Sequence, residues 1–250
     1  MSKILAVDAG NTRVKCAVIE DGVVLEQWSY LSRHAKSKTR SALLRSDLPV
    51  VLASVAPSVT DAVTKFCQAA GRKLFVVDAV SQNVFEANAE LGADLVSAAA
   101  AALKLHARGK PVAVIGLGTA ITLTAVDRDG KFKGALFTLG LKHTRDTLAR
   151  SCALLDHAAS TTPSTVALGN DTPSCMDNGV LLATVGIARA YAEQARRELG
   201  NDTVVVATGG DGKLVVPLVN AGRRRKLVNV IDSELTLKGI FLVYESLRTV

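Results

Sequence analysis

The chain has 250 residues, 48% hydrophobic and 21% charged, enough apolar mass for one large core or two modest ones and the balance of a soluble globular protein. No apolar run reaches the ~18 residues needed to span a bilayer, and 4% aromatics with no recognised binding motif argue against nucleic acid as a partner. The formal charge of +7 suits an anionic ligand or a basic surface.

Ile4 to Val7 and Val14 to Ile19 read as two strands of a hairpin joined through Asp8-Ala9-Gly10-Asn11-Thr12. Gly10 and Asn11 are residue types that accept a positive φ in such a turn. A glycine turn also lets backbone N–H groups approach an anion, with Asn11, Thr12 and Lys15 as further donors. Asp8 offers a hard oxygen where a phosphate-bound Mg²⁺ would want one. An ordinary hairpin with Asp and Asn in their usual turn roles explains the same residues. Asp21-Gly22 turns the chain into a third strand, Val23 to Tyr30, and Ser32 to Ser46 reads as a basic helix. Val50 to Val55 is a buried strand, Val59 to Ala70 a helix entered at Pro57 and closed by Gly71, and Leu74 to Val77 another strand.

Leu91 to Arg108 reads as an alanine-rich helix capped by Gly109, with Leu95, Ala98, Ala99, Ala102 and Leu103 on its apolar face. Asp94 lies in its first turn, where the helix dipole favours a carboxylate, so its position has a structural explanation independent of function. The pattern then restarts: strand Val112 to Ile115, turn Gly116-Leu117-Gly118-Thr119-Ala120, strand Ile121 to Val126, turn Asp129-Gly130, strand Phe132 to Thr138. A helix over Lys142 to Leu155, a loop over Asp156 to Asn170 and a long helix over Ser174 to Leu199 come next. Strand Thr203 to Ala207 ends in Thr208-Gly209-Gly210-Asp211; a short helix (Lys213 to Val219), a strand (Leu227 to Ile231) and a final helix (Glu234 to Leu247) close the chain. Arg223-Arg224-Arg225-Lys226 reads as a solvated loop. The four cysteines, Cys16, Cys67, Cys152 and Cys175, lack the spacing of a zinc or redox pair, and Met1-Ser2-Lys3 leads straight into a strand with no signal-peptide core, so a cytoplasmic location is expected.

The two halves repeat. An offset of 108 residues carries Gly10 onto Gly118 and Asp21-Gly22 onto Asp129-Gly130, which indicates a duplicated β-β-β-α-β-α-β unit; Asp8 falls on Gly116. Two such lobes imply a ligand cleft between them, with the turns at Gly10, Gly118 and Gly209 suited to a nucleoside triphosphate. Neither a P-loop nor a G-x-G-x-x-G fingerprint is present.

In Asp8-Ala9-Gly10-Asn11-Thr12, Leu91-Gly92-Ala93-Asp94, Gly118-Thr119-Ala120-Ile121-Thr122, Ala167-Leu168-Gly169-Asn170-Asp171-Thr172 and Thr208-Gly209-Gly210-Asp211, taken in order, the chain resembles the type III pantothenate kinases (the Bvg accessory factor-like family) of the acetate and sugar kinase/actin superfamily. The resemblance implies an α/β fold of two duplicated actin-like (ribonuclease H-like) lobes, each a mixed five-stranded sheet with helices: residues 1–90, and 91–250 including the linking helix 91–108. It implies ATP-dependent phosphorylation of pantothenate, the first step of coenzyme A biosynthesis, with Mg²⁺ and a monovalent cation (potassium or ammonium), in a cytoplasmic homodimer. Asp8 would organise Mg²⁺ through the phosphates, and Asp94 would be the general base. Gly10, Asn11, Thr12, Lys15, Gly118, Thr119, Thr208, Gly209 and Gly210 would hold ATP, and Phe85, Gly92, Ala93, Asp94, Leu95 and Thr172 would meet pantothenate.

Several positions depart from that family. Leu95 stands where Arg follows the base, Gly116 where an acid is linked to the monovalent cation, Thr124 where another acid is common, and Phe85 where Tyr is usual; the family's Gly-Gly-x-x-x-Pro-Gly stretch is reduced to Gly134-Ala135 and Leu139-Gly140. A bidentate Arg–carboxylate contact is worth on the order of 2–4 kcal/mol in a partly buried site, so its loss bears on substrate choice. Two readings follow: an active pantothenate kinase, or a catalytically impaired paralogue acting as a regulatory or nucleotide-binding protein.

Overall fold

Strands β1 (Lys3–Ala9), β2 (Arg13–Glu20) and β3 (Val23–Leu31) form an antiparallel meander, and β4 (Val50–Ser54) and β5 (Leu74–Val76) add to β1 in parallel, giving the order β3-β2-β1-β4-β5. The computed structural model describes residues 2–152, 155 and 166–248. The turn between β2 and β3 is built as its sequence demands, with Asp21 at φ 48° and Gly22 at φ 84°.

Alternation along β1 sets two faces. Leu5, Val7 and Ala9 join Ala35 and Leu43 of α1 (Ala35–Leu43) and Val59 and Val63 of α2 (Pro57–Ala69) in one core. The other face carries Ile4, Ala6 and Asp8, and on this side of the fold α7 (Leu235–Arg248) packs on β1 and α3 (Ala93–Ala101) packs along α7. These two helices meet backbone to backbone: a Cβ at Gly239 would overlap the Ser97 carbonyl. The alanine helix is shorter than its composition suggests, passing into π-helical turns over Ala102–Ala107 that end with Arg108 at φ 49° and Gly109 at φ 78°.

Residues 1–109, 126–132 and 234–250 form the first compact unit, and 110–125 with 133–233 the second. The grouping differs from a boundary at residue 90. The alanine helix and the final helix belong with the first sheet, because their small-residue contact needs both in one layer. The 126–132 turn joins the same unit through Glu86, whose N–H donates to the Gly130 carbonyl (2.7 Å) and whose carbonyl accepts from Phe132 N–H (2.9 Å).

The second unit repeats the plan: β6 (Val112–Leu117), β7 (Ala120–Val126), β8 (Phe132–Leu139), β9 (Val204–Thr208) and β10 (Val230–Ile231), ordered β10-β9-β6-β7-β8. Ala113, Ile115 and Leu117 of β6 pack on Leu181, Val185 and Ala188 of α5 (Thr172–Leu199) and Val215 and Val219 of α6 (Gly212–Asn220), as Leu5, Val7 and Ala9 pack on α1 and α2. α5 starts two residues earlier than expected because Asp171 caps it: its carboxylate accepts from Ser174 N–H (2.8 Å), and Ser174 Oγ answers the Asp171 N–H. β10 is shorter than Leu227 to Ile231. The Asn220 side chain accepts from the N–H of Leu227 (2.9 Å) and Val228 (3.1 Å) and donates to the Val228 carbonyl (3.0 Å), taking the groups a ladder would use. α4 (Leu141–Ser151) is described to Ser151; of the expected helix end and following loop, residues 153, 154 and 156–165 lie outside the described residues. Among the described residues no helix is long and apolar enough to cross a membrane.

Candidate active site

In the first unit the site starts at the end of β1. Asp8 pairs with Lys15 of β2 and with Ala53 of β4, so Asp8 and Lys15 share one face of the sheet. Immediately after, the Val55 N–H donates to the Ala9 carbonyl (3.0 Å), tying the exit of β4 to that of β1. The turn itself differs from expectation: neither Gly10 nor Asn11 has positive φ. What confines Gly10 is space, since a Cβ there would sit 3.3 Å from the Arg13 carbonyl. Ser32 pins the turn, its Oγ donating to the Gly10 carbonyl (2.6 Å) and its N–H to the Thr12 carbonyl (3.0 Å). Asn11 and Thr12 remain exposed.

Asp94 arrives from the start of α3. Gly92 is the residue before the helix, and a Cβ there would be 2.8 Å from Asp94 Oδ1 and 3.2 Å from Val55 Cγ1. Gly92 is thus the glycine that lets the helix start close to the end of β4. Asp94 Oδ1 accepts from the Leu95 N–H at 2.8 Å. Burial raises the Asp94 carboxyl above its ordinary range, against that backbone bond. Burial likewise lifts Asp8 to about 6, partly offset by Lys15 and reinforced by the charge of Asp94. The Asp94 charge reaches Asp8 across 86 positions of chain, so the two carboxyls form one acidic centre. Ala93 is buried and Leu95 half-buried beside it. Phe85 lies in the same unit, buried, bonded through its N–H and carbonyl to Gln82 (3.2 and 2.5 Å) and packed at the Gly130 turn.

In the second unit three glycine segments converge on the end of β6. A Cβ at Gly140 would overlap the Gly118 carbonyl, and one at Gly209 (φ 99°) would overlap the Leu117 carbonyl. The Gly140 N–H donates to the Thr119 carbonyl (2.9 Å) and the Asp211 N–H to the Leu117 carbonyl (3.1 Å). Gly118 and Gly210 are different. Neither has positive φ, and a Cβ on either would meet nothing within 4 Å, so the fold itself does not require glycine there. Thr208 is buried beneath the turn, while Thr119 and Gly210 are exposed. Asp211, the last residue of the Thr208 to Asp211 turn, is half-buried; burial raises its carboxyl, which makes no cap bond to its own helix.

Gly116, in the place of Asp8, faces Thr122; a Cβ there would lie 2.5 Å from Thr122 Oγ1. Further along β7 the Thr124 hydroxyl is buried without a partner among the described residues. This corner presents the Thr122 and Thr124 hydroxyls, and Gly116 itself supplies no carboxylate. Thr172, the first residue of α5, is exposed in the second unit, and Gly169 before it is pressed against the Ser174–Cys175 backbone. No group of three or more His, Cys, Asp or Glu able to hold a metal occurs among the described residues.

The model of the family described as type III pantothenate kinase matches residues 4–194. A type III pantothenate kinase from Bacillus cytotoxicus is 26% identical over 259 residues, covering 97% of this chain and 95% of the relative. Among solved structures, a Baf family protein from Campylobacter jejuni superposes with a TM-score of 0.64 at 12% identity, covering 99% of this chain and 100% of the other. A ROK family glucokinase from Streptomyces griseus, in complex with glucose and AMPPNP, gives 0.55 at 13% identity, covering 98% and 100%. With two sheets of one strand order, these likenesses identify the fold as duplicated actin-like lobes. On the extent of the family match, the chain belongs to the type III pantothenate kinase family.

Proposed function

We infer that the chain transfers the γ-phosphoryl group of ATP to the primary hydroxyl of pantothenate, giving 4′-phosphopantothenate. The observation that carries this reading is the Asp8–Asp94 centre, where burial holds both carboxyls above their ordinary range and the Asp94 charge raises Asp8 further. A raised carboxyl at the start of α3 is a competent base for an alcohol, taking its proton late as the phosphoryl group arrives. Asp94 has this role. The helix dipole and the Leu95 N–H keep it anionic enough to accept.

Asp8 has the chemistry to hold Mg²⁺. A desolvated carboxylate with an acidic neighbour gains most from a divalent cation, and a nucleotide-bound Mg²⁺ asks for only one or two protein oxygens. When bound, the ion neutralises phosphate charge. Lys15 and the Gly10–Thr12 backbone meet the phosphates on the same side of β1 and β2.

In the second unit, Gly118 and Gly210 leave open backbone that a nucleotide can approach, and Thr119, Thr208 and Gly209 complete the ATP-holding turns. Asp211 accepts from the ribose hydroxyls. On the acceptor side, Gly92, Ala93, Leu95 and Phe85 line the pantothenate, joined by Thr172 in a homodimer. The apolar residues exposed on edge strand β8, Leu136, Phe137 and Leu139, favour such an assembly. Because Gly116 replaces the family's acid, turnover has a blunted response to potassium and ammonium.

A coupled ADP-release assay with and without pantothenate tests the reading. Pantothenate-dependent ADP release that disappears in Asp94→Asn supports it. The Leu95 substitution favours a second reading, a nucleotide-binding regulator. ATP binding without release under millimolar pantothenate would make that the better account.

A further inference from the structure

The strands of the first sheet have a second end. Asp8 and Val55 lie where β1 and β4 finish, whereas Ser2 and Lys3 lie where β1 begins, about 17 Å away along an extended strand. At that beginning the structure holds a cavity of about 360 Å³ lined by Ser2, Lys3, Lys73, Phe75, Tyr244 and Arg248, with Pro49 at its wall. All of these residues belong to the first unit.

The lining is one-sided in charge. It has three cations and no acid. Two are engaged from outside the lining: Lys3 by Glu20 at 3.3 Å and Arg248 by Glu245 at 3.4 Å. Lys73, from the turn before β5, has no ion-pair or hydrogen-bond partner for its ammonium among the described residues. Arg248 is held in place, donating to Ser2 Oγ at 2.9 Å and lying over the Tyr244 ring at 5.6 Å. The aromatic wall is also ordered: Phe75 and Tyr244 meet edge to face, with centroids 4.9 Å apart and planes at 74°. A positioned guanidinium and an uncommitted ammonium beside two rings make a site with a cationic, anion-binding end and a flat apolar end. Its volume lies in the range of small-ligand pockets.

We propose that this cavity is a second ligand site, separate from the Asp8–Asp94 centre, for a small phosphate monoester carrying a flat ring. The phosphate is held by Lys73 and Arg248, and the ring extends the edge-to-face stack of Phe75 and Tyr244. The site stands whether or not the proposed kinase activity is correct, since it shares no residue with it.

Isothermal titration calorimetry of the full chain with phenyl phosphate, inorganic phosphate and phenol tests the proposal. Phenyl phosphate is expected to bind at one site, at least fivefold more tightly than phosphate and than phenol. Lys73→Glu is expected to weaken it tenfold or more, and Arg248→Gln several-fold, with circular dichroism unchanged because both side chains are exposed. Lys73→Gln provides the milder variant should the charge reversal disturb folding. Asp8→Ala is expected to leave the binding as in wild type. Affinity unaffected by either Lys73 variant overturns the proposal. Loss of binding in Asp8→Ala, or phosphate binding as tightly as phenyl phosphate, also overturns it.

Discussion

The turn after β1 and the turn after β6 occupy equivalent places in two sheets of the same strand order, and they use opposite materials. The first is a side-chain site: Asp8 and Lys15 face each other across the ladder, and Asp94 adds a second carboxyl from α3. The second is a backbone site: Gly116 replaces the acid, and Gly140 and Gly209 press onto Leu117 and Gly118 so that three chain segments meet without side chains between them. Duplication therefore preserved the frame while the chemistry was divided. In the proposed function the first turn supplies charge for a proton and a metal, and the second supplies glycine backbone and hydroxyls for a nucleotide.

The comparison is broken most severely at Asp94. Asn there cannot accept the hydroxyl proton, so kcat is expected to fall by about 10²–10⁴-fold with the melting temperature and ATP binding little changed. An activity loss below tenfold in steady-state kinetics would remove Asp94 from the role of base.

Glycine substitutions come next, because they separate glycines the fold needs from those it does not. Gly140→Ala drives a methyl into the Gly118 carbonyl and is expected to destabilise by roughly 3 kcal/mol or more, or to prevent folding. Gly118→Ala meets nothing, so thermal denaturation should stay within about 1 °C of wild type while the Kd for ATP rises about tenfold. An unchanged Kd would mean that the open backbone at Gly118 is not where nucleotide binds.

Asp8 sharpens the acidic side. Its carboxyl titrates near 6 in the folded chain against an ordinary 3.8. Between those values the folded state keeps a proton that the unfolded state has released, so the contribution of Asp8 to stability is highest below about pH 4, falls as pH rises to about 6 and is flat above. Asp8→Asn removes the buried charge and is expected to raise the melting temperature at pH 7.5 by about 2–5 °C, to flatten that pH dependence, and to abolish Mg²⁺-dependent turnover. A variant less stable than wild type at pH 7.5 would show that Lys15 outweighs burial.

The smallest effect concerns β7. Thr124→Val replaces a buried hydroxyl that lacks a partner among the described residues with a methyl of the same shape, and is expected to stabilise by about 1 kcal/mol in urea denaturation. Gly116→Asp belongs to the same corner. It cannot simply restore an acid, since its Cβ falls 2.5 Å from Thr122 Oγ1, and it needs Thr122 shortened to Ala to be accommodated.

The residues themselves determined whatever local physics specifies. Asp21-Gly22 declares its left-handed turn, Pro57 and Gly71 bracket α2, and the 108-residue repeat of turns and apolar alternation foretells two sheets of one plan. The same reading named Asp8 and Asp94 as a pair through resemblance. That burial raises both carboxyls and the Asp94 charge reaches Asp8 is not legible in the chain, because it depends on Gly92 letting α3 start beside the end of β4. Only the tertiary structure placed α3 and α7 with the first sheet, through a backbone contact between Gly239 and Ser97 that no local pattern encodes. It also shortened β10, where Asn220 takes over ladder bonds across seven or eight residues. The glycines divide along the same line. Their identity is written in the chain, but whether each serves a positive φ, a close backbone approach or a ligand is decided by what segments distant in sequence bring within 4 Å of it.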